Sequence, residues 1–297
     1  MANRWIISAD IGGSHISVAS FVEREDGFAL GPIHEKKLDS GQSKDFILEE
    51  WVSLFKELSL DLTKCCISLA MPAPFDYLNG ICQIKDQGKF IHLFGVNLKD
   101  ELAGRMGIMP TQIHFVNDAK AFLMGEAKFG KVSKFKNILG MTLGTGLGSS
   151  LKFNGEIVDA ALWSSKFKEG IAEDYLGTGW FVNWFRQNFS IQVNGVKEII
   201  ESEDLLQMAI PAFEEFSSNL ADFILKRSEE VPLDAVVIGG NIAKAHGFFL
   251  NNTISTLKLK NNQTPVFISE FGDKSALFGA ASKFFDQKVL LGLDQEL

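Results

Sequence analysis

"ADIGGSH", residues 9–15, places an aspartate, two glycines and a hydroxyl residue within one short stretch. The flanks, "RWIIS" before it and "HISVASFV" after it, are apolar and alternate. This pattern predicts two strands joined at the glycine pair. A hairpin alone does not require the aspartate. The turn is therefore a candidate for close approach by a ligand.

Working outward, "SKDFILEEWVSLFKELS" (43–59) predicts a helix with Ile47, Trp51, Leu54, Phe55 and Leu58 on its apolar stripe. "CCISLAMP" (65–72) predicts a buried strand ended by Pro72, and "DYLNGICQI" (76–84) carries an Asn-Gly turn. A helix over 97–107, a strand over 112–116 and a helix over 117–130 follow. The second half repeats the opening design. "KNILGMTLGTGLGSSLKFNGEIV" (136–158) reads as strand, glycine turn, strand, Asn-Gly, strand. Helical sequence covers about 168–230, "LDAVVIGGNIAKAHGFFL" (233–250) reads as strand, glycine pair, helix, and a last strand (264–269) and helix (275–288) close the chain. Two α/β lobes of similar design are expected, meeting near residue 117. No Pro/Ser-rich linker separates them, so a shared cleft is expected.

The bulk numbers fit that size. The chain has 297 residues, 46% hydrophobic, with 26 Phe against 2 Tyr. The formal net charge is −8. Nucleic-acid binding needs clustered positive charge, and the densest basic stretch, "KFGKVSKFK" (128–136), reads as a solvated helix end and loop. The N-terminus lacks the pattern of a signal peptide, and no apolar run approaches the ~20 residues that span a bilayer. Three cysteines, two of them adjacent (Cys65, Cys66), and five scattered histidines form no disulfide framework and no metal-ligand spacing. A cytoplasmic chain is the expectation.

Three glycine turns follow apolar strands: "DIGGSH" at 10–15, "GTGLG" at 144–148 and "IGGN" at 238–241. Glycine lets backbone N–H groups approach a ligand closely, and consecutive N–H groups form an anion nest. One such turn is commonly only a tight turn; three of them, two on matched hairpins, point to phosphate. A P-loop would need Lys-Ser/Thr, which is absent. A dinucleotide motif would need a helix after its glycines, but a strand follows Gly148. "VNDAKAF" adds a carboxylate, Asp118, at a strand-to-helix junction. It can cap the helix, but Asn117 can cap equally well. Asp118 is then a candidate base that takes the proton of an attacking hydroxyl.

"DIGGSH", "AMPAPFDYLNG", "VNDAKAFLMGEAKFG", "LGTGLG", "VIGGNI" and "SALFGAA", in this order, resemble the ROK family of sugar kinases and repressors. The resemblance covers nearly the whole chain, and "VNDA…GE…FG" with "LGTGLG" is its specific part. It implies a two-lobed ribonuclease-H-like α/β fold of the actin/hexokinase type, with a cleft between the lobes. The N-terminal lobe would take 1–117, joined by a C-terminal helix over about 284–297, and the C-terminal lobe 118–283. It implies Asp118 as base and Asn117 as a sugar-hydroxyl ligand. It implies Asp10, Gly12, Gly13 and Ser14 as the first phosphate hairpin, with Asp10 near magnesium through water. Gly144, Thr145 and Gly146 would be the second phosphate hairpin, and Gly239 and Gly240 the adenosine turn. ATP and Mg2+ are the implied cofactors and a small sugar the partner, with no nucleic acid or membrane; a homodimer stays open.

Several departures fall on the sugar side. Between Gly148 and Gly177 there is no His and no Cys, so the family's zinc site is not expected. Glu173 in "GIAEDYLGTG" resembles the retained sugar-binding glutamate. Glu156 lies in the region of the family's Glu-x-x-His pair, but no His follows. The usual Pro-Gly-Pro, with its sugar contact, becomes Pro72-Ala73-Pro74. The first reading is an ATP-dependent hexose kinase, with O6 of glucose as acceptor. The alternatives are a kinase for mannose, fructose or an N-acetylated amino sugar, and a non-catalytic sugar sensor. Trp180 and Trp184, four apart, read as a helix core stripe, and Glu126 as an ion-pair or cap partner.

Overall fold

The computed structural model describes residues 5–25, 27–85, 88–285 and 289–291. The chain forms two compact units. One takes the chain up to Phe129 and again from Lys274; the other is Gly130–Asp273.

In the first unit, β1 (Trp5–Ile11) and β2 (His15–Glu23) pair as an antiparallel hairpin, and β3 (Gly27–Lys37) continues the meander. β4 (Cys65–Met71) runs parallel to β1. A small hairpin, β5 (Phe75–Asp76) and β6 (Ile81–Cys82), turns at Asn79-Gly80, where Gly80 has φ +78°. β7 (Ile113–Asn117) is parallel to β4, and β15 (Val289–Leu291) is parallel to β3. The sheet order is β15-β3-β2-β1-β4-β7.

Alternation along the strands gives this sheet two buried faces. Ile7, Ala9, Leu69 and Phe115 pack with Trp51 of α1 (Lys44–Glu57) and Leu102 of α2 (Leu98–Met106). On the other face, Ala70 packs with Ala121 of α3 (Asp118–Phe129) and Ala276 and Ala280 of α9 (Ser275–Ser282). The residues are small because the two helices nearly touch. A Cβ on Gly125 would lie 2.2 Å from the Ser275 carbonyl oxygen, and one on Gly279 would lie 1.6 Å from that of Ala121. Buried Glu126 accepts a 2.7 Å hydrogen bond from Ser275 Oγ at the start of α9, where a carboxylate favours the helix dipole.

This packing draws α3 and α9 into the first unit. The division between the units falls after Phe129 and before Lys274; the sequence suggested 117 and 284. The expected C-terminal helix over 284–297 is corrected. Among the described residues the last helix ends at Ser282, and Val289–Leu291 is an edge strand. The rest of that expected helix lies largely outside the described residues.

The second unit repeats the design. β8 (Ile138–Leu143), β9 (Leu147–Phe153) and β10 (Glu156–Asp159) form an antiparallel meander. A short hairpin, β11 (Lys166–Phe167) and β12 (Gly170–Ile171), leads into α4 (Ala172–Leu176), α5 (Thr178–Phe189), α6 (Val196–Glu201) and the long α7 (Glu203–Glu230). β13 (Ala235–Gly239) and β14 (Val266–Ile268) then add parallel strands beyond β8, with α8 (Leu250–Leu259) between them in the chain. The order β10-β9-β8-β13-β14 matches β3-β2-β1-β4-β7 strand for strand. After Gly239-Gly240 the chain makes a 3-10 segment, Ile242–Phe248, before α8, because Ala245 departs from helical geometry. Trp180 is buried against Phe181 and Phe216, and Trp184 donates its indole N–H to Glu215, so these side chains serve the helix packing.

Two consequences are testable. Gly279→Ala forces a methyl into the Ala121 backbone and is expected to lower stability by about 2 kcal/mol or more in urea unfolding. His114 on β7 packs against the Phe284 ring at 5.3 Å, and its pKa is lowered to about 4, mainly by burial and then by Lys283 and Lys99. Between the ordinary value near 6.5 and about 4, the unfolded chain takes up a proton that the folded chain refuses. Stability therefore falls as pH drops through that window. His114→Gln is expected to flatten that part of the curve when unfolding is measured from pH 7 to 4.

Candidate active site

The parallel register brings the carboxyl ends of three strands of the first unit into line. Asp10 on β1 is opposite Ala70 on β4, and Ala70 is opposite Val116 on β7. Asp10 is thus about two strand spacings, roughly 10 Å, from the β7 end that carries Asn117 and Asp118. Ala73 lies in the loop that follows β4, where the Pro74 carbonyl accepts a hydrogen bond from Gln83 N–H at 3.2 Å. Parallel α/β sheets bind ligands beyond these carboxyl ends.

The first glycine turn closes tightly. Gly12 N–H donates to the His15 carbonyl at 2.9 Å, and the His15 ring lies against Gly12. The loop after β3 braces the turn: Leu38 N–H donates to Ser14 O at 2.9 Å, and Ser40 N–H to Gly13 O at 3.3 Å. The aliphatic stem of Lys89 approaches Gly13. Ser14 is exposed at the turn and Asp10 is half-buried behind it.

At the end of β7, Asn117 Oδ1 accepts from Lys120 N–H at 2.9 Å and so caps α3. Its Nδ2 donates to the Tyr77 hydroxyl at 3.1 Å, which in turn donates to the Met71 carbonyl at 3.1 Å. Asn117 therefore does the capping that Asp118 could have done. Asp118, the first residue of α3, accepts from Ala119 N–H at 2.8 Å. Asn117 keeps one amide hydrogen and one oxygen lone pair beyond these bonds, so a sugar contact is compatible with its internal role.

In the second unit, the turn after β8 and the turn after β13 adjoin. Thr142 pairs with Gly239, and a Cβ on Gly240 would lie 2.4 Å from the Leu143 carbonyl oxygen. Gly240 also has φ +87°, so geometry and space both demand glycine. Gly144 N–H donates to Gly146 O at 3.0 Å. The Thr178 N–H and hydroxyl both donate to Gly144 O at 2.8 Å. Thr145 occupies the tip between these bonds. No protein atom crowds the Cβ position of Gly144, and its φ is not in the left-handed region. Neither conformation nor a described neighbour imposes glycine there.

Glu173 belongs to this turn: its Oε2 accepts from Leu147 N–H at 2.9 Å. Glu156, expected near it on the sugar side, is not brought there. It pairs with Phe153 at the far end of β9, roughly 20 Å of strand away from Leu147, and is exposed. Sequence reasoning also missed Tyr77, Lys89 and Thr178. Thr178 sits in the quoted "GIAEDYLGTG" but carried no signal, and the other two reach their turns only through the tertiary fold.

A match to the ROK family covers residues 6–161, from β1 through the end of β10. The chain belongs to the ROK family. It is 29% identical over 153 residues to the glucokinase of Thermotoga maritima, covering 52% of this chain and 46% of that relative. It is 26% identical over 153 residues to the N-acetyl-D-glucosamine kinase of Pasteurella multocida, covering 50% of this chain and 46% of the relative. The chain thus spans about half the length of the curated relatives it matches. The ROK family glucokinase of Streptomyces griseus, solved with glucose and AMPPNP, superposes with a TM-score of 0.72 at 18% identity, covering 94% of this chain and 98% of that one. At that identity the likeness shows the actin/hexokinase-type fold alone. Among the described residues, no helix is long and apolar enough to cross a membrane.

The Asn117–Tyr77–Met71 chain of bonds makes a direct prediction. Tyr77→Phe is expected to cost about 1 kcal/mol, and Asn117→Ala about 2 kcal/mol because the α3 cap is lost too. Thermal melts of the two variants check the order.

Proposed function

We propose that this ROK-family chain is an ATP-dependent sugar kinase that phosphorylates a hydroxyl of a hexose or amino sugar, with O6 of glucose as the first candidate acceptor. The observation that carries the reading is the division of labour at the end of β7. Asn117 caps α3, and the Asp118 carboxylate stands beside it as the first residue of that helix, in position for the base role. Asp10 and the first glycine turn lie on the same sheet edge.

In this reading Asp118 accepts the proton of the acceptor hydroxyl as its oxygen attacks the γ-phosphorus of ATP. The bond from that phosphorus to the bridging oxygen breaks, and ADP leaves with the electron pair. The Gly12 and Gly144 N–H groups are bonded within their own turns; in this reading Gly13 and Ser14 of the first turn, and Thr145 and Gly146 of the second, offer backbone N–H groups to phosphate. Gly239 and Gly240 serve the adenosine. The single carboxylate of Asp10 suits magnesium, which takes one or two carboxylates together with substrate phosphates. A magnesium ion held there would neutralise phosphate charge. Asn117 and the Ala73 loop serve the sugar, and Glu156 has no part.

The names of the relatives support both glucose and N-acetylglucosamine as acceptors to test. A second reading, a sensor that binds sugar without turnover, is favoured by one feature: the Glu173 carboxylate is engaged with the protein's own backbone. A coupled ADP-release assay decides between them, run with glucose, mannose, fructose, glucosamine, N-acetylglucosamine and N-acetylmannosamine. The kinase reading expects ADP release with at least one sugar. It also expects Asp118→Asn to lower turnover by roughly 100-fold or more while nucleotide binding is kept. Stabilisation by a sugar with no turnover for any of them would establish the sensor instead.

A further inference from the structure

Glu173 resembles a sugar ligand by sequence, yet its side chain and carbonyl contact the second glycine turn and the segment that braces it. Its Oε2 accepts the Leu147 N–H at 2.9 Å. A Cβ on Gly146 would lie 2.3 Å from that same oxygen, and its three nearest neighbours would all be Glu173 atoms. Gly146 does not have a left-handed φ. Backbone conformation therefore does not require glycine at 146, but the carboxylate does.

The segment that carries Glu173 grips the turn at further points. The Glu173 carbonyl accepts Gly177 N–H at 2.9 Å, a Cβ on Gly177 would sit 3.1 Å from Thr145 O, and Thr178 binds Gly144 O twice. The segment is itself anchored. Asp174 Oδ2 accepts Ile171 N–H at 2.9 Å, closing the start of α4. The Lys168 ammonium is held by the side chain of Asn219 in the middle of α7, and Lys226 donates to the Lys166 carbonyl. Lys168 stands at φ +51°, a conformation that a non-glycine residue holds only when its surroundings fix it.

We infer that Glu173 is a positioning residue for the phosphoryl donor: its carboxylate holds the Gly144–Gly146 turn in the shape that receives the donor's phosphates. The identity of the donor rests on the kinase reading above. The physical cause is local. A charge-assisted bond to Leu147 N–H fixes the strand end of the turn, and without it that N–H loses its partner and the turn relaxes. The role needs an acceptor oxygen at this place, not a negative charge.

The test is calorimetric binding of magnesium-AMPPNP, and separately of glucose and N-acetylglucosamine, to four variants. Glu173→Ala is expected to weaken AMPPNP binding by roughly 10- to 100-fold and to leave sugar affinity within about twofold. Glu173→Gln, which keeps the acceptor, is expected to bind AMPPNP within about twofold of the natural chain. Gly146→Ala displaces the carboxylate without removing it, so it is expected to show the same selective loss, and it serves if Glu173→Ala fails to fold. In the Glu173→Ala background the methyl of Gly146→Ala has room, so the double variant is expected to be no worse than Glu173→Ala alone. Loss of sugar affinity with AMPPNP unchanged would overturn the inference, as would additive losses in the double variant. If the natural chain binds no AMPPNP, both the kinase reading and this inference fail. If it binds and Glu173→Ala binds equally well, the inference alone fails.

Discussion

Parallel strands cannot be joined by hairpins, so β1, β4 and β7 are linked by crossovers and their carboxyl ends emerge along one edge. This constraint puts Asp10, the Ala73 loop, Asn117 and Asp118 side by side although more than a hundred residues separate the first from the last. The second unit obeys the same constraint with β8 and β13, which sets the Gly144–Gly146 turn against Gly239-Gly240. Both units place an antiparallel meander on one side of the key strand and parallel strands on the other. The polar edge in each is the one where the strand order changes direction.

The glycines of these turns are glycines for different reasons, and the reasons separate packing from chemistry. Gly240 is held by a left-handed φ and by the Leu143 backbone. Gly146 yields its space to Glu173, and Gly12 to the His15 ring. Gly144 answers to neither conformation nor neighbour. A sequence shows all four as the same letter.

Much of the fold was legible in the sequence because local rules agreed with the tertiary result. The expected helix over 97–107 forms as α2, bounded by the Asn97 cap and the left-handed Gly107, and the Asn-Gly pair turns between β5 and β6. The capping alternative at Asn117 was also legible, since either residue had the chemistry and only the Tyr77 bond selects Asn117. The unit boundary was not legible. It depends on the contact of α3 with α9, a pairing of small residues some 150 positions apart that leaves no periodic signal. β15 was missed because a three-residue edge strand has too few residues to show alternation. Glu156 lies apart from the turn that holds Glu173 because β9 carries the chain away before β10 begins, a separation that nearness in sequence does not show. Glu173 was found by resemblance, but its bond to Leu147 could only come from the fold.

The central claim is that donor phosphates sit on the backbone of these glycine turns. The most direct measurement is the amide spectrum of protein labelled with 15N-glycine, recorded before and after addition of magnesium-ATP. The account predicts that the largest shifts fall on Gly12, Gly13, Gly144 and Gly146, with smaller shifts at Gly239 and Gly240. Glycines outside these turns, such as Gly107 and Gly155, should stay in place. Saturable ATP binding that moves other glycines and leaves these turns unchanged would contradict it.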